Sequence, residues 1–205
     1  LLLDLTTPGV EVRPIRQLTG EPEFNEIFLT DVKVPVGLTL GERGAGWSVA
    51  VTTLSHERGT HGAALAAQLW ADYRAAVSVL SRPDASGCRP LDSADVRDQL
   101  TEIWIEISAV QIANLRAIHE QSITGAPGPG STIAKLCWSE VSQKLARLVV
   151  QELGPDGVRV GPDAPDSGAW AFRLLRTRGN SIEAGTSEVL RNIIAERVLG
   201  LPRSR

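Results

Sequence analysis

The sequence predicts a mainly α protein: an antiparallel bundle of the four-helix type, preceded by a few β-strands. Three observations predict it. The hydrophobic period changes once, from alternation in the first forty residues to spacings of three and four after residue 46. Strands and helices are therefore segregated along the chain, which argues against a doubly wound α/β sheet. The long helical stretches, each of roughly thirty residues or fewer, are joined by short breakers, as in bundles whose successive helices lie antiparallel.

Taken in order, Leu1, Leu3 and Leu5 alternate up to a Thr-Pro-Gly turn at 7–9, and Val10, Val12 and Ile15 follow. The stretch 24–35 alternates for most of its length and stops at Pro35, which cannot donate to a ladder. Three strands or strand ends are expected here, then a glycine-rich turn over 37–46. Trp47, Ala50, Val51, Leu54, Glu57, Arg58, His61 and Leu65 predict a helix with one inward stripe, running to about Arg82. Pro83, Asp84, Ser86 and Gly87 make a loop.

The second helix is expected from Asp92 or Ser93, either of which serves as an N-cap, to about Thr124. Val96, Leu100, Ile103, Ile107 and Val110 face inward. The Gly-Ala-Pro-Gly-Pro-Gly run at 125–130 breaks it. Ser131 is expected to cap a third helix, with Ile133, Leu136, Val141, Leu145, Leu148 and Val149 inside, ending at Gly154-Pro155. After a polar loop, a short helix is expected over 169–176. A last one follows over about 187–199, with Leu190, Ile193, Ile194 and Val198 on one face, ending at Gly200 and Pro202.

Composition narrows the function classes. A net charge of −3 with 22% charged residues offers no basic nucleic-acid surface and no anionic-membrane binder. No apolar run approaches a membrane span. The leucines at the start are followed by Asp4 with no basic residue ahead, which does not read as a signal peptide. Cys88 and Cys137 stand alone, and His56, His61 and His119 are scattered, so no metal site is expected. Lone cysteines fit reduced thiols in a cytoplasmic (bacterial-type) or mitochondrial-matrix protein. The chain has no methionine and opens inside what reads as a strand, which suggests a fragment, a processed chain, or a chain whose front lies outside this sequence.

Three segments carry a resemblance. Residues 24–35, ending Asp31-Val-Lys-Val-Pro35, lead through Gly44-Ala-Gly-Trp47 into the first helix. Gln151-Glu-Leu-Gly154 closes the third helix. The run from Gly185-Thr-Ser-Glu188 to Gly200 forms the last helix. In this order they resemble the acyl-CoA dehydrogenase family, in its C-terminal half. The resemblance implies residues 1–43 as the end of a β-barrel-like middle domain and 44–205 as the C-terminal helical bundle. It implies FAD, an acyl-CoA substrate dehydrogenated between its α and β carbons, electron-transfer flavoprotein as electron acceptor, and a homo- or hetero-oligomer, dimer or tetramer.

The chemistry needs a carboxylate, partly desolvated and ionised, over the substrate α carbon. Many members place it directly before the Gly-Thr of the last segment, but that position here is Ala184. The isovaleryl-CoA and long-chain members carry it on the first bundle helix before an arginine, and Glu57-Arg58 matches that arrangement. Glu57 also falls on the apolar stripe, where an acid is either a base in a cavity or a boundary residue paired with an arginine. Glu183, one residue from the usual position, is the alternative base. It could instead recognise a polar acyl group or bond Arg58.

The resemblance implies flavin contacts at Thr186, Glu188, Gln151 and Gly154, and substrate contacts at Arg58, Ala184 and Gly185. Thr186 also reads as a helix N-cap, and Glu188 as a dipole-complementing acid. Pro155 replaces a usual glycine. The arginine for the flavin pyrophosphate is Arg82 or, failing that, Arg89, in a loop that has lost the family's phenylalanine. These departures leave open a flavin-poor partner subunit of a heteromeric dehydrogenase, or an acyl-CoA oxidase-like flavoenzyme.

Overall fold

A computed structural model describes residues 1–84, 86–125, 128 and 130–203; the side chains of 55–61, inside the first helix, fall outside the described residues. The chain forms two compact units, Leu1–Ser55 and His56–Arg205.

In the first unit, β1 (Val10–Ile15) and β2 (Phe24–Leu29) form an antiparallel hairpin, in register from Val10 opposite Leu29 to Ile15 opposite Phe24. Gly9 opens it with φ 92°, and a Cβ there would run into the Thr30 carbonyl, so only glycine fits. The expected strand at Leu1–Leu5 does not form. The Asp4 carboxylate accepts from the Thr6 backbone N–H at 2.8 Å, a turn that ends the extended path. β2 also stops short of Pro35, because Asp31 adopts φ 51° and redirects the chain.

α1 (Gly46–Leu80) runs through the boundary between the units. The expected inward stripe does not hold in its first half, where Trp47 is 81% and Leu54 42% exposed. The buried residues of α1 lie further on, at Ala66, Leu69, Ala76, Val79 and Leu80. That is the part of the helix facing α2 (Ala94–Thr124) and α3 (Gly130–Glu152).

Ser93 takes the cap position of α2, yet its side chain makes no cap bond; Arg97 Nη1 instead bonds the carbonyls of Leu91 and Asp92. Gly125, at φ 72°, terminates α2 in the left-handed conformation, its N–H on the Gln121 carbonyl. Ser131 is not the cap of α3 but part of its first turn, and its hydroxyl donates back to the Gly128 carbonyl. Ile133 and Leu136 are half-buried, while Ala134, Lys135 and Ser139 take the inward positions.

The helices run antiparallel in sequence. Trp70 Nε1 donates to Gln111 Oε1 at 2.9 Å, and Gly62 of α1 faces Asn114. Lys144 of α3 meets Glu102 and Glu106, while Gly130 abuts Ala117. Thus position rises along one helix as it falls along the next. α4 (Ala169–Asn180) packs on α3 in the same sense: Lys135 reaches Asn180, and Gln143 reaches Thr177. It runs past the expected end at Arg176 because Thr177 and Asn180 are buried against α3. Leu69, Leu80, Ile103, Ile107, Leu145, Val149 and Trp170 fill the core.

α5 (Ser187–Ile193) passes into a wider π-helical turn, Ile194–Val198, closed by the Leu199 N–H on the Ile194 carbonyl. The extra residue per turn rotates the apolar face. Leu190 is fully buried, Ile193 and Ile194 are half-buried, and Val198, expected with them, is exposed.

The 3₁₀ turn Gly154–Val158 is held against the end of α3 by a contact that admits no side chain. A Cβ on Gly157 would lie 2.5 Å from the Val150 carbonyl oxygen and 2.9 Å from its Cα. Gly157→Ala is therefore expected to cost about 1–3 kcal/mol by overpacking. Gly37→Ala, where a Cβ would meet nothing within 4 Å, should stay within about 0.5 kcal/mol of wild type. Urea unfolding of both variants checks the contrast.

Candidate active site

Five of the sequence-predicted residues, Glu183, Ala184, Gly185, Thr186 and Glu188, lie on or beside the turn between α4 and α5. After Asn180 the chain turns through Ser181–Gly185, and two successive residues take positive φ: Ala184 at 52° and Gly185 at 103°. For alanine this is a sparsely populated conformation, kept only where the surroundings impose it. The surroundings are polar. The Ser187 N–H donates to the Ser181 carbonyl at 3.0 Å, and Gln143 Nε2 donates to the Thr177 carbonyl at 3.0 Å and to Ser181 Oγ at 3.3 Å. From α3, Lys135 Nζ reaches the carbonyls of Asn180 at 2.8 Å and Gly185 at 2.9 Å.

Thr186 is the N-cap of α5, with Oγ1 accepting from the Val189 N–H at 3.3 Å. Two residues on, Glu188 lies exposed in the first turn. Its own backbone N–H and then the Thr186 hydroxyl hold its carboxyl below the ordinary glutamate range. Thr186 and Glu188 thus present an acceptor-rich edge at the start of α5.

Glu183 does not stand free. Arg176 Nη2 donates to its Oε2 at 3.0 Å, and Arg176 Nη1 donates to Asn180 Oδ1 at 3.1 Å. Both charged side chains are about a quarter exposed or less. They border a cavity of about 240 Å³ between α1, α3 and α4, whose wall includes Leu65, Trp138, Trp170 and Phe172. Asp72 and Arg173, paired at 3.0 Å, sit on the same wall. The cavity is mostly apolar, with two internally neutralised ion pairs on its wall.

Gln151 is exposed near the end of α3, beside a groove shared with Gln99, Glu140, Lys144 and Arg147. Glu140 also pairs with Arg191 of α5. Gly154 takes φ 55°, and the space a Cβ would fill there is open, so its glycine answers to the backbone rather than to crowding. Pro155 falls in the first turn of the following 3₁₀ segment, where a missing N–H costs little. Arg82 pairs with Asp166 at 2.7 Å, and Arg89 with Asp92 at 2.9 Å, both largely exposed. Glu57 and Arg58 lie outside the described residues.

Sequence reasoning missed Lys135, Gln143 and Arg176. A signal existed for Lys135: with Ser131, Ser139 and Ser142 it repeats at spacings of three and four along the inner face of α3. Nothing in the sequence marks Arg176 as the partner of Glu183. Among the described residues no group of histidine, cysteine and acids could hold a metal ion, and no helix is long and apolar enough to cross a membrane.

Three long antiparallel helices, a shorter fourth and a strained turn leading into a threonine-capped fifth define a helical-bundle domain. The model of the acyl-CoA dehydrogenase C-terminal domain matches residues 44–199, and the chain belongs to the acyl-CoA dehydrogenase family. It is 37% identical to the acyl-CoA dehydrogenase IpdE1 of Mycobacterium tuberculosis, across 99% of this chain and 50% of that protein. It is 34% identical to the IpdE1 of Mycolicibacterium smegmatis, across 99% and 49%. Among solved structures, a chain of the ChsE4-ChsE5 complex from Mycobacterium tuberculosis superposes with a TM-score of 0.82 at 28% identity, covering all of this chain and 53% of its own. The chain spans about half the length of the curated relatives IpdE1.

Lys144 carries a pH dependence. Its hydrogen bond to Glu106 at 2.8 Å, then that to Glu102, raise it above the ordinary lysine value, against some desolvation. A group raised on folding stabilises fully below its unfolded value and loses that contribution as pH rises through its folded value. The stability difference between wild type and Lys144→Met should therefore be flat from neutral pH to about pH 10 and shrink above it. Urea midpoints measured across that range check the sign.

Proposed function

We propose that this chain is the C-terminal half of an FAD-dependent enzyme that dehydrogenates an acyl-CoA thioester between its α and β carbons, with Glu57 as the base. The observation that carries the assignment lies in the turn before α5. Position 184 is an alanine, and the neighbouring acid, Glu183, is engaged by Arg176 at 3.0 Å. A base must be free to approach the substrate α carbon. Glu57, followed by Arg58 on α1, is then the carboxylate for the task. Residues 1–43 as the end of a middle β domain and 44–205 as the helical domain belong to the same reading.

Each residue then has a role. The Glu57 carboxylate removes the α proton, and Arg58 bonds the substrate or orders the turn that carries Gly185-Thr186. FAD, when bound, accepts the β hydrogen as hydride. The start of α5 fits such a dinucleotide: the ionised Glu188 accepts from hydroxyl groups of its adenosine part, and Thr186 lies beside the ring. The open space at Gly154, next to Gln151, leaves room for the same group from a neighbouring subunit. Ala184 and Gly185 line the substrate side of the turn, and the cavity edged by Glu183 takes the outer part of the acyl group.

Assembly with further chains fits the outer face of α2, where Ile105, Ile112 and Ile123 stand exposed opposite the core-facing Ile103 and Ile107. Electrons leave through electron-transfer flavoprotein. A second reading, a flavin-poor subunit of a heteromeric dehydrogenase, is favoured by one feature: Arg82 and Arg89 are each already paired with an acid of this chain.

The test is the visible spectrum of the intact protein, followed by anaerobic addition of acyl-CoAs. A flavin spectrum bleached by one of them is the expected result, and absence of flavin after FAD is supplied would select the second reading. Glu57→Gln should slow bleaching by roughly 10²–10⁴-fold. Glu183→Gln should retain it while losing about 1–2 kcal/mol of stability, since Arg176 loses a charged partner. The reverse pattern would transfer the role to Glu183.

A further inference from the structure

Lys135 is only 6% exposed, although lysine is among the residues least often buried. Removing an ammonium from water is costly unless it is well hydrogen-bonded, so its partners indicate its purpose. Two of them are backbone carbonyls on either side of one turn: Asn180, at the last residue of α4, and Gly185, immediately before the cap of α5. The first is a carbonyl at the negative end of α4, where a cation is favoured. The second belongs to the peptide that joins Gly185 to Thr186.

That peptide is trans, as no cis bond occurs among the described residues. In a trans peptide the carbonyl and the following N–H point in opposite directions. With the Gly185 carbonyl drawn toward the buried ammonium, the Thr186 N–H is aimed away from it, out of the core. The same bond holds the positive φ of Ala184 and Gly185, which alanine would not keep unaided. A neutral side chain of similar length, such as methionine, would fill the space and hold neither carbonyl.

We propose that Lys135 is a positioning residue: from inside α3 it locks the 180–186 turn so that the Thr186 backbone N–H is presented outward to the flavin. The flavin part of this inference rests on the function proposed above; the locking of the turn does not.

The test compares wild type with Lys135→Met and with Lys135→Met/Ala184→Gly in the intact protein. Amide hydrogen exchange is read at Ser187 and Val189, whose N–H groups bond Ser181 and Thr186, and at the core positions Ile103 and Leu145. FAD affinity of the apoprotein is read by flavin fluorescence. Lys135→Met should speed exchange at Ser187 and Val189 at least tenfold, leave the core amides unchanged, and weaken FAD binding tenfold or more. Adding Ala184→Gly, which tolerates positive φ without a lock, should restore part of both. Unchanged exchange at Ser187 and Val189 would overturn the proposal. So would uniform loss of protection, or failure of both variants to fold, because Lys135 would then serve the bundle rather than the turn. If wild type takes up no FAD while the exchange pattern appears, the proposed flavin role fails and the lock stands.

Discussion

α3 is the helix on which the rest of the bundle leans. It has buried residues around most of its circumference, from Thr132 through Val141 and Leu145 to Val150, and it touches α2, α4, α5 and the 3₁₀ turn that follows it. A helix enclosed in this way must satisfy every polar group it carries, because water is not available to do so. Ser139 and Ser142 satisfy theirs by bonding back to the carbonyls of Leu136 and Trp138. Lys135 and Gln143 cannot, and they reach across to α4 and the turn behind it.

The burial of α3 therefore shapes the site. The polar groups it cannot satisfy alone become the pins of the α4–α5 turn, and the turn in turn sets the start of α5, where Thr186 and Glu188 stand. Beside these contacts, Arg173 and Arg176 of α4 pair with Asp72 and Glu183 on the wall of a mostly apolar cavity that α1, α3 and α4 share. One short helix thus contributes to two environments. Toward the turn lie fixed backbone dipoles, and in the cavity lie aromatic walls with neutralised charges.

Much of the fold was legible in the sequence because the long helices are delimited by strong local signals. The glycine–proline run after Thr124 and the Gly154-Pro155 pair stop helices wherever they occur, and they did so within a residue or two. Weaker local signals failed where tertiary contacts overrode them. The alternation of Leu1, Leu3 and Leu5 is too short to resist the Asp4 turn, and α4 continues past Arg176 because Thr177 and Asn180 find burial against α3. The Ser93 hydroxyl yields its capping role while Arg97 serves the carbonyls just before the helix. In the site, the motif residues of the last segment were legible as a contiguous string. Their supports were not, because Lys135 and Gly185 lie fifty residues apart in sequence and a lysine carries no mark of burial.

The antiparallel order of the helices bears on how the molecule is assembled. α1, α2, α3 and α4 each pack on the next helix in sequence, so most of the bundle closes between sequence neighbours, the topology associated with rapid folding. The side-chain contacts of longest span are those around α4: Asp72 with Arg173 closes one hundred and one residues, and Arg82 with Asp166 closes eighty-four. Such closures carry the larger entropic cost, which the helical hairpins reduce by bringing the ends together. α4 is in this sense tied down by distant parts of the chain rather than by its own neighbours in sequence.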